Sequence, residues 1–274
     1  MGHRAIDPTF SISYFQIVDY IVIPLVACGA SLLTFFSGFG LGTLLTPIFA
    51  IFFPIDLAVA LTAIVHFLNG LFKLGLVGRY ADRAIILRFG LPAIIAAFVG
   101  AWVLTKVSDF SPVASYQLGG HEFEILPIKL VIAVLMVGFT LFELMPRLRS
   151  LEFSSQFLPV GGILSGFFGG LSGHQGALRS AFLARAGLTK EQFVGTGTVI
   201  ASMIDVARLT VYSKHLTSDG ITTNFKLLAL TTFAAFVGAY CGSKLLKKIT
   251  MHRIQAVVSV SLLALAVALG LGVI

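Results

Sequence analysis

Three features of this 274-residue chain predict an all-α polytopic membrane protein built from two inverted repeats. It is 57% hydrophobic and only 11% charged, with a mean hydropathy of +0.97, whereas a soluble domain carries about 25% charged residues. Apolar runs near the ~20 residues needed to cross the hydrocarbon core as a helix recur along its length. Finally, two apolar segments are interrupted by glycine at matching places in the two halves, and such interrupted pairs mark the binding site of many membrane carriers. The 25 phenylalanines and 28 glycines suit lipid-facing bulk and close helix packing.

The elements follow in order. Residues 15–53 form one long apolar stretch broken at Ser37-Gly38-Phe39-Gly40-Leu41-Gly42. Residues 57–77, 87–105 and 128–145 read as spanning helices. A basic connector, 146–156, leads to residues 157–187, which are broken between Gly169 and Gly176. Residues 191–212, 226–243 and 253–273 are three further spans. Each half is thus a broken segment followed by three helices: 1–150 is the first membrane repeat and 151–274 the second, in one integral membrane domain. The loop 106–127 is the longest connection and is too short for a second domain.

Loop charges orient the spans. Stretches 78–88, 146–156 and 244–253 are rich in Lys and Arg and are expected in the cytoplasm, while 106–127, with Asp109, Glu122 and Glu124, is expected outside. The second broken segment then enters and leaves on the cytoplasmic side, as a re-entrant hairpin. If the first does the equivalent on the outer side, three crossings per half leave the halves inverted. The first arm, 15–36, is also long enough to cross fully. The net charge of +7 comes from basic residues at the ends of apolar runs, so nucleic acid is not an expected partner. Cys28 and Cys241 lie inside apolar runs, which argues against a disulfide framework. The opening MGHRAIDPTF has no basic region feeding a short apolar core, so no cleaved signal peptide is expected.

The glycine breaks are the first candidates for chemistry. Non-helical backbone at membrane depth survives only where it is buried in protein or lines a wet cavity. A helix restarting after a break presents free N–H groups and a positive dipole end, which suits an anion. The first break offers Gly40, Gly42, Thr43 and Thr46; the second offers Gly173, His174, Gln175, Gly176, Arg179 and Ser180. Glycines can also serve only close helix packing, but their recurrence at matching places favours a site. Arg179, in the first turn after the second break, either grips an anionic substrate by charge-assisted hydrogen bonds or acts structurally. In the structural role it would snorkel to the surface or pair with Asp205.

Each break is followed by a polar-striped helix. Thr62, His66, Asn69 and Lys73 fall at i, i+4, i+7 and i+11, on one helical face. Thr198, Ser202 and Asp205 repeat the first three spacings, with Thr196 and Arg208 close by. Such a stripe faces the bundle interior, either lining a pathway or bonding helix to helix. His66, His174 and Asp205 are also candidate proton carriers. There is no phosphate-binding loop, no metal-ligand spacing, no dinucleotide fingerprint and no nucleophile–base–orienter set, so no cofactor, metal or catalytic centre is expected.

With these residues in view, the chain resembles the TauE/SafE sulfite exporter family, also called the toluene sulfonate uptake permease family. The resemblance rests on Gly38-Phe-Gly-Leu-Gly42 with Pro47 beyond it and on Ala58-Val59-Ala60-Leu61-Thr62. In the second half it rests on Ser165-Gly166-Phe-Phe-Gly169-Gly170 and on Phe193-Val194-Gly195-Thr196-Gly197-Thr198. It implies a secondary permease in the inner (cytoplasmic) membrane for a small sulfur-containing anion, with export of sulfite or an organosulfonate as the expected activity. An anion channel of the same fold is the alternative. A homodimer and a coupling ion, H+ or Na+, stay open as partners besides the lipid bilayer.

Overall fold

The computed structural model describes residues 8–35, 41–145, 153–213, 223–245 and 251–273. The chain is helical apart from one small hairpin. Its helices are α1 (Pro8–Leu33), α2 (Leu41–Phe52), α3 (Ile55–Val77), α4 (Arg83–Ser108, with a π-helical turn at Ile86–Gly90) and α5 (Pro127–Leu144). The second half supplies α6 (Leu158–Ser172), α7 (Gly176–Leu183), α8 (Lys190–Tyr212), α9 (Phe225–Leu245) and α10 (Met251–Gly270). Among the described residues, four stretches are long and apolar enough to cross a membrane: Ile55–Tyr80, Arg83–Ser108, Lys190–Tyr212 and Phe225–Lys244. The spans expected at 57–77, 191–212 and 226–243 therefore stand with small shifts at their ends. The one expected at 87–105 begins earlier, because the Asp82 side chain accepts from the Ile85 amide at 3.0 Å and caps the helix there.

The second break is narrower than the glycine run suggests. Gly169 and Gly170 continue α6, and the helix stops only where Gly173 takes φ +80°. That left-handed conformation suits glycine because it has no Cβ. With 15 and 8 residues, α6 and α7 reach about 22 Å and about 12 Å, each short of a bilayer core. In the first half Gly42 lies inside the first turn of α2, while Gly38 and Gly40 fall outside the described residues. The first arm, α1, has 26 residues, so the two arms differ in length. Most of the basic connector 146–156, and parts of the stretches 213–225 and 244–253, also lie outside the described residues.

The loop 106–127 is not plain coil. Ala114–Leu118 (β1) pairs antiparallel with His121–Ile125 (β2) across a Gly119-Gly120 turn, where both glycines have positive φ. The Tyr116 hydroxyl donates to the Leu271 carbonyl at 2.8 Å, which ties the hairpin to the end of α10. The Gly-Gly pair flanked by short alternating runs is the hairpin signal that an all-helical reading passes over.

Packing is repeated between the halves. Helix α6 packs on α4, as α1 packs on α9. Likewise α7 meets α5, as α2 meets α10, and α3 packs directly against α8. The α4–α6 contact is made backbone to backbone: a Cβ on Gly162, Gly166 or Gly170 would overlap the carbonyl oxygen of Phe89, Ala93 or Ala97 in turn. A Cβ on Gly238 would likewise overlap the Cys28 carbonyl across α1–α9. The α4–α6 contact runs parallel. The α3–α8 contact runs antiparallel: Asp56 and Tyr212 line one cavity, His66 meets Asp205, and the Asp82 amide just beyond α3 meets Thr196.

This packing gives a stability expectation. Gly166→Val should force α4 and α6 apart and cost about 1–3 kcal/mol, as overpacking does. Gly29→Ala on α1, with nothing within 4 Å of the new Cβ, should be neutral or slightly stabilising. Thermal unfolding of both purified variants in detergent checks this; equal midpoints would show that the glycine contact is not tight.

Candidate functional site

The polar residues converge where α3, α8 and the second break meet. Asp205, on α8, is fully buried. Its Oδ2 lies 2.6 Å from His66 Nδ1 on α3, and its Oδ1 accepts from Arg208 Nε at 3.0 Å and lies 2.8 Å from Arg208 Nη2. Gln175 Nε2, at the break, reaches the same Oδ1 at 3.4 Å. Spacing explains the α8 pair, since residues three apart share a helix face. The His66 contact crosses from one half to the other. A buried carboxylate is tolerated only when its lone pairs are answered in this way.

Arg179 is buried, so it does not snorkel, and its Nη1 donates to Gln175 Oε1 at 3.1 Å. Gln175 thus links Arg179 to the carboxylate, since its Oε1 accepts from Arg179 and its Nε2 reaches Asp205 Oδ1. The Gln175 carbonyl accepts from Ser165 Oγ at 2.9 Å, which fixes the break to α6. His174 is sealed: its Nδ1 lies 3.0 Å from Ser172 Oγ and its ring stacks on Phe139 at 5.8 Å. The Tyr212 hydroxyl donates to the Gly170 carbonyl, holding the end of α6 to α8.

The start of α2 meets the second break. A Cβ on Gly42 would stand 3.3 Å from the Gly173 carbonyl oxygen and 3.5 Å from His66 Cδ2. A Cβ on Gly173 would be strained by its φ of +80° and would stand 2.8 Å from Arg208 Nη1, displacing that guanidinium. Thr43 and Thr46 are buried in the first two turns of α2. Gly176 is buried at the start of α7, and Ser180, one turn on, is half-buried. Asn69 is buried and its Oδ1 accepts from Ser31 Oγ of α1 at 3.3 Å. Lys73 is half-buried, with Nζ 5.6 Å from the Phe35 ring centroid.

Two expected site residues are engaged elsewhere. Thr196 Oγ1 accepts from the Asp82 amide at 2.8 Å, locking the α3–α4 turn rather than facing the breaks. Thr198 returns its hydroxyl to the Val194 carbonyl at 2.7 Å. Gly197, between them, lies beneath Arg179: a Cβ there would stand 3.4 Å from Nε. Ser31, Phe139 and Tyr212 were not singled out by sequence reasoning, and Ser165 entered only as part of a glycine motif. Phe139 looks like any other apolar residue of its run, whereas Tyr212, seven residues after Asp205, continues the stripe and could have been found by that spacing.

Several buried polar atoms have no hydrogen-bond partner among the described residues. They include Arg208 Nη1, His174 Nε2 and the hydroxyls of Thr46, Thr62 and Ser202. Among the described residues the buried charged side chains are Arg179, Arg208 and Asp205, two cations against one anion. A cluster with surplus positive charge and spare donors, enclosed by two helix restarts, is suited to an anion.

Asp205→Asn should be strongly destabilising, since it leaves Arg208 buried without a counter-charge. Breaking such a pair costs about 3–5 kcal/mol, and Asp205→Asn combined with Arg208→Gln should recover part of the loss. Unfolding midpoints of the single and double variants measure this; a single variant as stable as the parent would show that the pair is not a structural charge pair.

Comparison with the curated proteins and with the solved structures found no match. The family model described as sulfite exporter TauE/SafE matches residues 23–269, which takes in both breaks and both polar helices. The chain belongs to the sulfite exporter TauE/SafE family of membrane transporters.

Proposed function

We propose that the protein is a secondary transporter that exports sulfite or an organosulfonate across the cytoplasmic membrane. In this reading the anion is held where the start of α2 meets the second break. The observation that carries it is the buried Arg208, whose Nη1 lies over Gly173 without a partner among the described residues. Nearby Arg179 adds a second buried guanidinium, and Asp205 is the one buried carboxylate among the described residues. Surplus buried positive charge in a membrane calls for an anion or an aqueous path. The amides at the starts of α2 and α7 supply further donors to the same space. Sulfite and sulfonate groups present several oxygens to planar guanidinium donors, the geometry at which arginine excels.

The inverted arrangement of 1–150 and 151–274 belongs to the same proposal. It is supported by the antiparallel α3–α8 contact and by the way helix pairings persist when the halves are exchanged. Rocking of one half on the other around a fixed central site would then give alternating access.

Proteoliposome counterflow tests the function. Sulfite or sulfoacetate inside should drive saturable uptake of the labelled anion, while taurine, which carries its own cation, and sulfate compete less well. Flux that never saturates would support a channel instead. Arg179→Lys keeps the charge but loses the planar fork, and Arg208→Gln loses the charge. Each should weaken anion affinity about ten- to a hundredfold, the equivalent of a charge-assisted bond of about 1.5–3 kcal/mol. Unchanged affinity in two variants that fold would remove the arginines from the site.

A further inference from the structure

We propose that the His66–Asp205 pair is the binding site of a proton that travels with the anion. The inference rests on the anion site proposed above and names its coupling ion. Arg208 holds Asp205 Oδ1 through Nε at 3.0 Å, so the carboxylate is kept ionised and can only accept hydrogen bonds. The contact of His66 Nδ1 with Oδ2 at 2.6 Å therefore places the ring proton on Nδ1. That leaves Nε2 of a neutral His66 with its lone pair free to take a proton. The His66 side chain is 17% exposed while that of Asp205 is 0% exposed, so the ring, and not the carboxylate, is the accessible member of the pair. Uptake forms one N–H bond at Nε2 as one O–H bond of a hydronium ion breaks to leave water, and release is the reverse.

The surroundings decide the sign of the coupling. On α8 the pair faces Arg208, with Tyr212 one turn beyond it, and from the break it faces Gln175. Arg179 follows through Gln175. On α3 the same helix carries Asn69 and Lys73; α1 contributes the uncharged Ser31, and α2 approaches the His66 ring with Gly42. His174 is set aside as the proton site because it is 2% exposed and enclosed against Phe139, so a proton has no ready route to its ring. A proton on His66 raises the charge of the buried set and loosens the hold of Asp205 on Arg208. Asp205 takes the Nε–Nη2 edge of that guanidinium, while Nη1 faces the break. Both effects favour an anion at the break, and linkage makes the preference reciprocal. A monoanion then crosses with its proton as a neutral pair.

The test is calorimetric titration of the purified full chain with methanesulfonate, whose charge does not change with pH. It is run from about pH 5 to about pH 8, the range in which histidine switches, in buffers of different ionisation heat. Binding should take up close to one proton in the upper part of the range. Affinity should fall as pH rises, by up to tenfold per pH unit. His66→Gln, which can still donate to Asp205, should bind with an affinity independent of pH and without proton uptake. In proteoliposomes, methanesulfonate flux through the parent should respond to a pH gradient and not to an imposed potassium diffusion potential. Tight binding by the parent without proton uptake, or uptake that persists in His66→Gln, would overturn the proton site and leave the anion site standing. Absence of methanesulfonate and sulfite binding at every pH would overturn the anion site and this inference together.

Discussion

Asp205 imposes the central constraint on this bundle. A carboxylate fully removed from water must be answered on every side, and its answers come from different parts of the chain. Arg208 comes from its own helix, Gln175 from the broken segment and His66 from the other half. Satisfying one group therefore sets the contact of α3 with α8 and draws the second break onto that contact. Arg179 is drawn in through Gln175. Arg208 answers the charge of Asp205 directly, and Arg179 donates to the Gln175 side chain that reaches the same carboxylate.

Such a centre needs backbones that approach closely, and glycine provides this in two distinct ways. On α6, Gly162, Gly166 and Gly170 recur every four residues and face the carbonyls of α4, so the two helices touch along one stripe. Gly173 does something else: it takes a left-handed conformation, ends the helix and leaves room for Arg208. The first group fixes where α6 stands, and the second opens it at the level of Asp205. Tyr212 joins the two, bonding the Gly170 carbonyl from the same helix that carries Asp205 and Arg208.

Membership of the sulfite exporter TauE/SafE family and the charge of the centre point the same way. A transporter for a small oxyanion must pay desolvation on both ion and site, and a surplus of buried guanidinium offsets that cost. The helix pairings persist when the halves are exchanged, and the centre lies where the halves meet, between α3 and α8.

Much of this was legible in the sequence. Hydropathy identified four of the expected spans, at 57–77, 87–105, 191–212 and 226–243, and the i, i+4, i+7 stripes named His66, Asn69 and Asp205 as inward-facing. Loop charge predicted an antiparallel course for α3 and α8, and their contacts follow it. Those features are local or periodic, so one strand of text carries them. The sequence could not separate packing glycines from the helix-ending one, because both kinds look alike until φ and neighbours are known; hence Gly169 and Gly170 proved helical while Gly173 ends the helix. It could not tell that Thr196 serves the Asp82 turn, nor that Arg208 grips Asp205 from the same helix. Partner choice among several polar groups on facing helices depends on rotation and depth, which are set by how the glycine stripes seat the helices. Composition and period determined which residues turn inward; only tertiary packing decided which of them meet.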